Sequence, residues 1–516
     1  MNRLWRSAAL LLLALPWLNP FASGPSSAFL PWLVTLACAT LLVFSWRNVR
    51  ATDIFASWCI AAWVSAAFGL IQYFGLAAVF EPWINTTAPG EAFANLRQRN
   101  QFASLTNIGL LALVWLAARN RISSGWLIAA AALLSVGNAA SSSRTGLLQL
   151  VLVAVLIAWW GGLKQPSTRK VLWAVAIAYA SASIALPLLI GLEFGGSGIL
   201  GRINDGGAAC SSRLVLWRNV LELIAVKPWF GWGWGELDYA HFVTLYPGPP
   251  GPPTARFCEI LDNAHNLPLH LAVELGIPVA LAVCGLGSWL IWRAKPWLEQ
   301  DATRQMAWGV LAVILLHSLL EYPLWYGPFQ MAFGWCVWLL VTTPAQLQSY
   351  FTTNVVKKGV FGGFLVDLTE KHQKYQKNYA LAHVFARFIA TLIIVLVAYA
   401  AWDYHRVSQI YLAPNERSEA YRTDTLAKIQ GSWLFGHQVR FAELTTTSIS
   451  PENAERLNAM ALELLHFSPE ARVVEKLIDS AALLGRHDEA RFYAARFRAA
   501  YPVEYENWLK AVSPAR

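Results

Sequence analysis

The sequence predicts an all-α polytopic membrane protein. It has about eleven transmembrane helices, a large outward loop and a soluble helical C-terminal domain. Three observations predict this class. Apolar residues make up 56% of the chain and charged residues only 14%, with a mean hydropathy of +0.41, outside the range of soluble globular domains. Apolar stretches near the ~20 residues needed to cross a bilayer recur along the chain. The Lys and Arg residues of the intervening loops fall on alternate sides, in step with the spans. The 26 Trp residues suit interfacial belts. A net charge of +9 would suggest nucleic acid in a soluble protein. Here the basic residues sit in short loops between spans, so no nucleic-acid partner is expected.

The elements follow in order. Arg3 and Arg6 precede an apolar run, 8–18, that is signal-peptide-like but lacks a small-x-small cleavage site. It reads as a retained first span. The expected spans are 7–22, 28–46, 54–80, 102–118, 125–139, 146–162, 171–192, 267–292, 305–320, 327–345 and 384–402. Arg47/Arg50, Arg119/Arg121, Lys164/Arg169/Lys170, Arg293/Lys295/Arg304 and the lysines from Lys357 to Lys377 then share one side with Arg3 and Arg6. The positive-inside rule makes that side cytoplasmic and the topology N-in, C-out. Residues 81–101, 141–144, 193–266 and 321–326 face outward. The expected organisation is N-terminal spans (1–95), a core (96–345) carrying the loop 193–266, a cytoplasmic loop (346–383), a last span (384–402) and an outward tail (403–516).

The tail has 14 Lys/Arg against 15 Asp/Glu and reads helical, with breaks at Pro451, Pro469, Gly485 and Pro502. Residues 481–490 with Tyr501-Pro502 suggest one tetratricopeptide-type helical hairpin, or an ordinary one. Cys38, Cys59, Cys284 and Cys336 lie in spans as packing residues. Cys210 and Cys258 lie in the outward loop. An oxidising periplasm lets them pair, the alternative being two free thiols.

Chemistry-bearing residues gather on the outward side. Ser211 or Ser212 can cap a short helix carrying Arg213 and Arg218, ended by Lys227-Pro228. Leu214, Trp217, Leu221 and Ile224 form its apolar stripe. Such a helix can lie in the interface, where guanidinium groups meet phosphate or pyrophosphate, of the substrate or of ordinary lipid headgroups. The Gly-Trp-Gly-Trp-Gly run (231–235) offers tight turns and flat apolar faces, on which sugars and lipids both stack. His265-Asn266 stands at the mouth of a span, where a His can take a proton from a hydroxyl. Glu274 lies inside that apolar span, where a charge marks function or a specific partner, and pairs with His270 at i, i+4. His317 and Glu321 share a helix face, with Tyr322 and Tyr326 around Pro323. No second His stands at metal-ligand spacing, so no metal is expected. Gln98-Arg99-Asn100-Gln101 and Ser141-Ser142-Ser143-Arg144 open two further spans, each readable as a helix cap with a headgroup-binding Arg.

These motifs, read together, carry a resemblance. Arg-Asn-Gln-Phe-Ala (99–103), Ser-Ser-Arg-Thr-Gly-Leu-Leu (142–148), Arg-x-x-x-Trp (213–217), Pro-Trp-Phe-Gly-Trp-Gly-Trp-Gly (228–235), His-Asn-Leu-x-Leu…Glu-Leu-Gly-Ile-Pro (265–278) and His-Ser-Leu-Leu-Glu-Tyr-Pro-Leu-Trp-Tyr (317–326) stand in an order that resembles the O-antigen ligase superfamily. The Glu-Tyr-Pro-Leu-Trp-Tyr segment looks like the bacterial O-oligosaccharyltransferases that glycosylate pilins and other periplasmic proteins. The resemblance covers about 95–345 and leaves the tail out. It implies en bloc transfer of a preassembled glycan from undecaprenyl pyrophosphate to a Ser or Thr hydroxyl at the periplasmic face of the inner membrane, with no cofactor and no metal. It also implies that His265 stands beside the acceptor, that Arg213 binds the pyrophosphate, and that Gln98, Asn100 and Tyr322 or Tyr326 line the site. Arg99, Arg144 and Arg218 are further candidates for the donor. Asn266, Glu274, His317 and Glu321 are further candidates for the lining. Two alternatives keep the same fold: a ligase acting on lipid A-core, and a repeat-unit polymerase. A transporter of lipid-linked sugars would instead need inverted repeats and polar residues along the midplane.

Overall fold

The structure, a computed structural model, describes residues 3–22, 24–44, 49–119, 123–191, 212–247, 256–343 and 364–512. Every regular element among them is helical. The chain forms two compact units.

The first unit comprises 1–22, 26–205 and 291–399. It contains α1 (Arg3–Leu18), α2 (Phe29–Val43), α3 (Ala51–Tyr73), α4 (Arg99–Ala117), α5 (Ser124–Ala140), α6 (Arg144–Trp159) and α7 (Pro166–Leu189). Such helices are apolar nearly all round, as a membrane bundle requires. At its centre Trp17 of α1 meets Phe329 edge-on at 5.0 Å, and Phe55 of α3 meets Trp115 of α4 at 4.7 Å.

The second unit comprises 23–25, 206–290 and 400–516. It begins with α8 (Arg213–Val226), α9 (Leu237–Val243), α10 (Leu267–Leu275) and most of α11 (Ile277–Ala294). The chain then returns to the first unit for α12 (Ala302–Ser318), α13 (Gly327–Thr342) and most of α14 (Phe364–Ser408). The tail supplies α15 (Thr425–Ile429), α16 (Gly436–Thr446), α17 (Ala454–Leu465), α18 (Ala471–Leu483), α19 (His487–Ala500) and α20 (Pro502–Val512). Helices α18 and α19 form the expected hairpin, turned at Gly485 with φ +74°. Loop and tail share one core: Phe242 of α9 packs with Leu457, Leu477 and Phe497. His466 stacks on Tyr239 at 3.8 Å and meets the Glu236 carboxylate at 2.7 Å, while Arg496 donates to the Val243 carbonyl.

Five helices among the described residues are long and apolar enough to cross a membrane: Ala51–Tyr73, Arg99–Ala117, Pro166–Leu189, Ile277–Leu298 and Ala386–Tyr411. Five shorter apolar helices accompany them. Three expectations change. The stretch 267–292 is not one span. It breaks at Gly276 (φ +86°), so Glu274 lies in the short helix α10 and the apolar span starts at Ile277. The segment 346–383, expected as a cytoplasmic loop, is helical from Phe364 onward. Finally, α8 does not bury the expected stripe. Leu216, Val220, Leu223 and Ile224 face the core, whereas Leu214 and Leu221 are exposed. This helix is apolar on two faces, so periodicity alone does not choose between them. Cys258 is disulfide-bonded, and its expected partner Cys210 lies outside the described residues.

Candidate active site

The segment 212–277 carries the first group of candidate residues, all in the second unit. Ser212 caps α8, its hydroxyl accepting from the Val215 N–H, which sets Arg213 in the first turn. One turn on, the Trp217 indole donates to the Ala264 carbonyl at 3.2 Å. That bond fixes the residue next to His265. His265 itself has φ +50°, the left-handed region that a non-glycine residue enters only when its surroundings hold it there. The Asn263 side chain accepts the His265 N–H at 2.8 Å, and Asn266 caps α10 by accepting from Leu269. The imidazole is half-buried, so it keeps an open side.

The Gly-Trp-Gly-Trp-Gly run is explained by packing. Trp232 N–H donates to the Val273 carbonyl and Gly233 N–H to the Glu274 carbonyl, both at 2.9 Å. Ile277 N–H donates to the Pro228 carbonyl at 2.8 Å. A Cβ on Gly231 would stand 2.3 Å from the Glu274 backbone, and one on Gly276 would stand 2.2 Å from the Trp229 carbonyl oxygen. Two backbones thus touch where only glycine fits. Trp232 is half-buried and donates to the Leu223 carbonyl, whereas Trp229, Phe230 and Trp234 are exposed. His270 Nε2 and the Glu274 carboxyl approach to 3.5 Å. Burial pushes the Glu274 carboxyl up to about 7, against an opposing hydrogen bond from the Gly235 N–H. Burial, with His265 nearby, pushes His270 down to about 4.

The second group lies in the first unit. Gln98 caps α4 and Ser143 caps α6, each side-chain oxygen accepting a backbone N–H three residues on. Asn100 joins two segments: it accepts from Ser143 Oγ at 2.6 Å and donates to Glu321 Oε1 at 3.1 Å. Ser142, like His265, sits at φ +50°. His317 is fully buried and its Nδ1 lies 2.9 Å from Ser104 Oγ. Gln149 Nε2 donates to Ser104 Oγ and to the Val313 carbonyl. Asn107 and Asn138 continue this network inward, to the Gly146 carbonyl and to Thr106. Tyr322 and Tyr326 stack at 5.8 Å. Arg144 is exposed at the start of α6. Arg99 holds Glu91 at 3.0 Å and Arg218 holds Glu222 at 3.1 Å, so both guanidinium groups already carry a carboxylate.

Sequence reasoning missed Ser104, Asn107, Asn138 and Gln149. The signal was available: Asn100, Ser104 and Asn107 recur at i, i+4, i+7 inside an apolar span, where polar side chains are costly without a purpose.

Comparison with known proteins agrees with the motifs. Residues 129–284 match the O-antigen ligase family, residues 92–117 a protein glycosylation ligase family, and residues 305–515 the C-terminal part of a virulence-factor membrane-bound polymerase family. The chain is 25% identical over 311 residues to a general O-oligosaccharyltransferase of Acinetobacter baylyi, covering 57% of this chain and 52% of that protein. It is 24% identical over 309 residues to a ComP-specific O-oligosaccharyltransferase of the same organism, covering 57% and 54% respectively. The matches thus span about half the length of these relatives. No solved structure matches. The resemblance to the O-antigen ligase superfamily and its O-oligosaccharyltransferases therefore holds.

Proposed function

We propose, from this likeness to O-antigen ligases and O-oligosaccharyltransferases, that the chain transfers a preassembled oligosaccharide en bloc from undecaprenyl pyrophosphate to Ser or Thr hydroxyls of periplasmic proteins such as pilins. In this reading it is a multi-pass inner-membrane protein with about eleven spans, N-in and C-out. The observation that carries the reading is His265, held at a left-handed φ and braced through Trp217 to the helix that begins with Arg213. The match over 92–117, which includes Gln98 and Asn100, supports protein as the acceptor.

The chemistry follows from the residue types. The acceptor hydroxyl gives its proton to His265 while its oxygen bonds to the anomeric carbon of the glycan. The bond from that carbon to the pyrophosphate oxygen breaks, and the pyrophosphate leaves on its polyprenyl carrier. The Arg213 fork faces the charge that develops on the leaving group. Arg144, exposed at a helix N-terminus, adds positive potential.

A second reading, a repeat-unit polymerase, is favoured by the polymerase-type match over 305–515. A lipid A-core ligase would share the same donor chemistry. One experiment separates the three: purified protein is incubated with lipid-linked oligosaccharide and either a pilin, lipid A-core or a second lipid-linked glycan. Sugar is expected on the pilin. His265→Ala should abolish transfer while leaving the protein abundant in the membrane. Arg213→Ala should weaken use of the donor, and Arg213→Lys should rescue it only in part, because the fork is lost. Transfer to lipid A-core or to another glycan alone would overturn the protein acceptor. Unchanged transfer by His265→Ala would overturn its role.

A further inference from the structure

Helix α9 has only seven residues, yet two apolar cores close over it. Leu237 and Ala240 are buried with Leu216, Val220, Leu271 and Ala264, the residue before His265. Phe242, on the opposite face of the helix, is buried with Leu457, Leu464, Leu477 and Phe497 of the tail. A helix this short is not stable alone, so the elements on its two sides decide where it lies.

Its edges are tied as well. On the tail side, Arg496 Nε donates to the Val243 carbonyl at 2.8 Å. The His466 ring stacks on Tyr239 at 3.8 Å and reaches the Glu236 carboxylate at 2.7 Å. On the loop side, Arg256 donates to the His241 and Thr244 carbonyls at 2.9 and 3.1 Å. The next residue, Phe257, donates its N–H to the buried Asn219 of α8 at 2.8 Å. Helix α8 in turn holds the Ala264 carbonyl through Trp217. A second path starts at Glu236, whose N–H bonds the Gly233 carbonyl at 3.3 Å, while the Gly233 N–H bonds the Glu274 carbonyl of α10. Packed side chains and hydrogen bonds thus run without a gap from the tail, through α9, to both sides of His265.

We propose that the C-terminal tail is a clamp on the transfer site: it fixes α9, and Phe242 and His466 are positioning residues that act on His265 through that helix. The inference rests on the transfer reaction and the role of His265 proposed above. A group that takes a proton must stand within hydrogen-bond reach of it, and a misplacement near 1 Å costs about 100-fold in rate. A clamp of this kind therefore governs kcat and leaves donor binding nearly alone.

Full-length protein in proteoliposomes is given lipid-linked oligosaccharide and the pilin acceptor, and its backbone hydrogen exchange is followed separately without substrates. Phe242→Ala empties the tail face of α9. It should lower kcat about tenfold and leave KM for the donor within about twofold, and Phe242→Leu should recover most of the loss. His466→Ala, on the exposed rim, should lower kcat about threefold and leave the protein folded. Arg491→Ala, which breaks an exposed ion pair with Asp488 elsewhere on the tail, is the control and should change neither. The amides of 264–270 should exchange about tenfold faster in Phe242→Ala and about threefold faster in His466→Ala, although no residue there is replaced. Faster exchange confined to the tail, with native exchange over 264–270, overturns the clamp. So does an unchanged kcat in both variants, or a loss that falls on KM alone. Should Phe242→Ala fail to accumulate in the membrane, His466→Ala decides by the same criteria. Absence of transfer by the wild type counts instead against the proposed reaction, because exchange over 264–270 reads the clamp without any transfer.

Discussion

Replacing Gly276 by Ala tests whether the backbone contact beneath His265 sets its position. Gly276 has φ +86° and ψ 160°, a region open essentially to glycine alone, so Ala costs about 1–3 kcal/mol there. Its Cβ would stand 2.2 Å from the Trp229 carbonyl oxygen, and the two segments must part by about 1 Å to restore ordinary contact. That movement stretches three hydrogen bonds of 2.8–2.9 Å between 228–233 and 273–277, each contributing about 1 kcal/mol. The local contact should therefore weaken by about 4–6 kcal/mol. Because α10 starts right after His265, a shift near 1 Å should lower transfer about 100-fold. Hydrogen exchange read by mass spectrometry should show lost protection over 267–276 and no change in α4 or α6. A variant with native protection and a wild-type transfer rate would refute the reasoning.

Three further outcomes are expected. Trp217→Phe removes only the indole N–H that braces the Ala264 carbonyl, so transfer should fall about tenfold with less than about 1.5 kcal/mol lost in thermal unfolding. Asn100→Leu removes the donor to Glu321 and the acceptor for Ser143 and should lower melting by about 1–3 kcal/mol, and Asn100→Asp, which sets a second carboxylate beside Glu321, should lower it further. The third concerns pH. Glu274 is raised from 4.5 to about 7, so the folded state keeps a proton that the unfolded chain has lost, and this contribution to stability is present below pH 4.5 and lost as pH rises to about 7. The difference between wild-type and Glu274→Gln unfolding curves should therefore change by about 3 kcal/mol between pH 4.5 and 7, in the direction of wild type losing ground. A pH-independent difference would show that Glu274 titrates normally.

What the sequence made legible were properties that residues carry locally. Length and apolarity marked the helices, Ser212 and Gln98 marked their caps, and Gly485 marked a turn in the tail, whereas the break at Gly276 stayed hidden inside an apolar run. What it left hidden were partners, because a partner is set by packing between segments far apart in the chain. His317 and Glu321 show the difference. Their i, i+4 spacing placed them on one face, and the Glu321 N–H does bond the His317 carbonyl. Their side chains nevertheless answer to Ser104 and Asn100, more than 200 residues earlier. The glycine–tryptophan run shows it again. Composition suggested surfaces for stacking sugars, but Gly231 is there because Gly276 and its neighbours press against 229–231. The same argument explains the missed network. Ser104, Asn107 and Gln149 each look dispensable within one helix, and only the meeting of α4, α6 and α12 makes their hydrogen bonds mutually necessary. A single apolar replacement there leaves the remaining partners buried and unmatched, which costs more than the one bond removed. The network should therefore respond to mutation as a unit, and Ser104→Ala combined with Gln149→Leu should destabilise less than the two single losses added together.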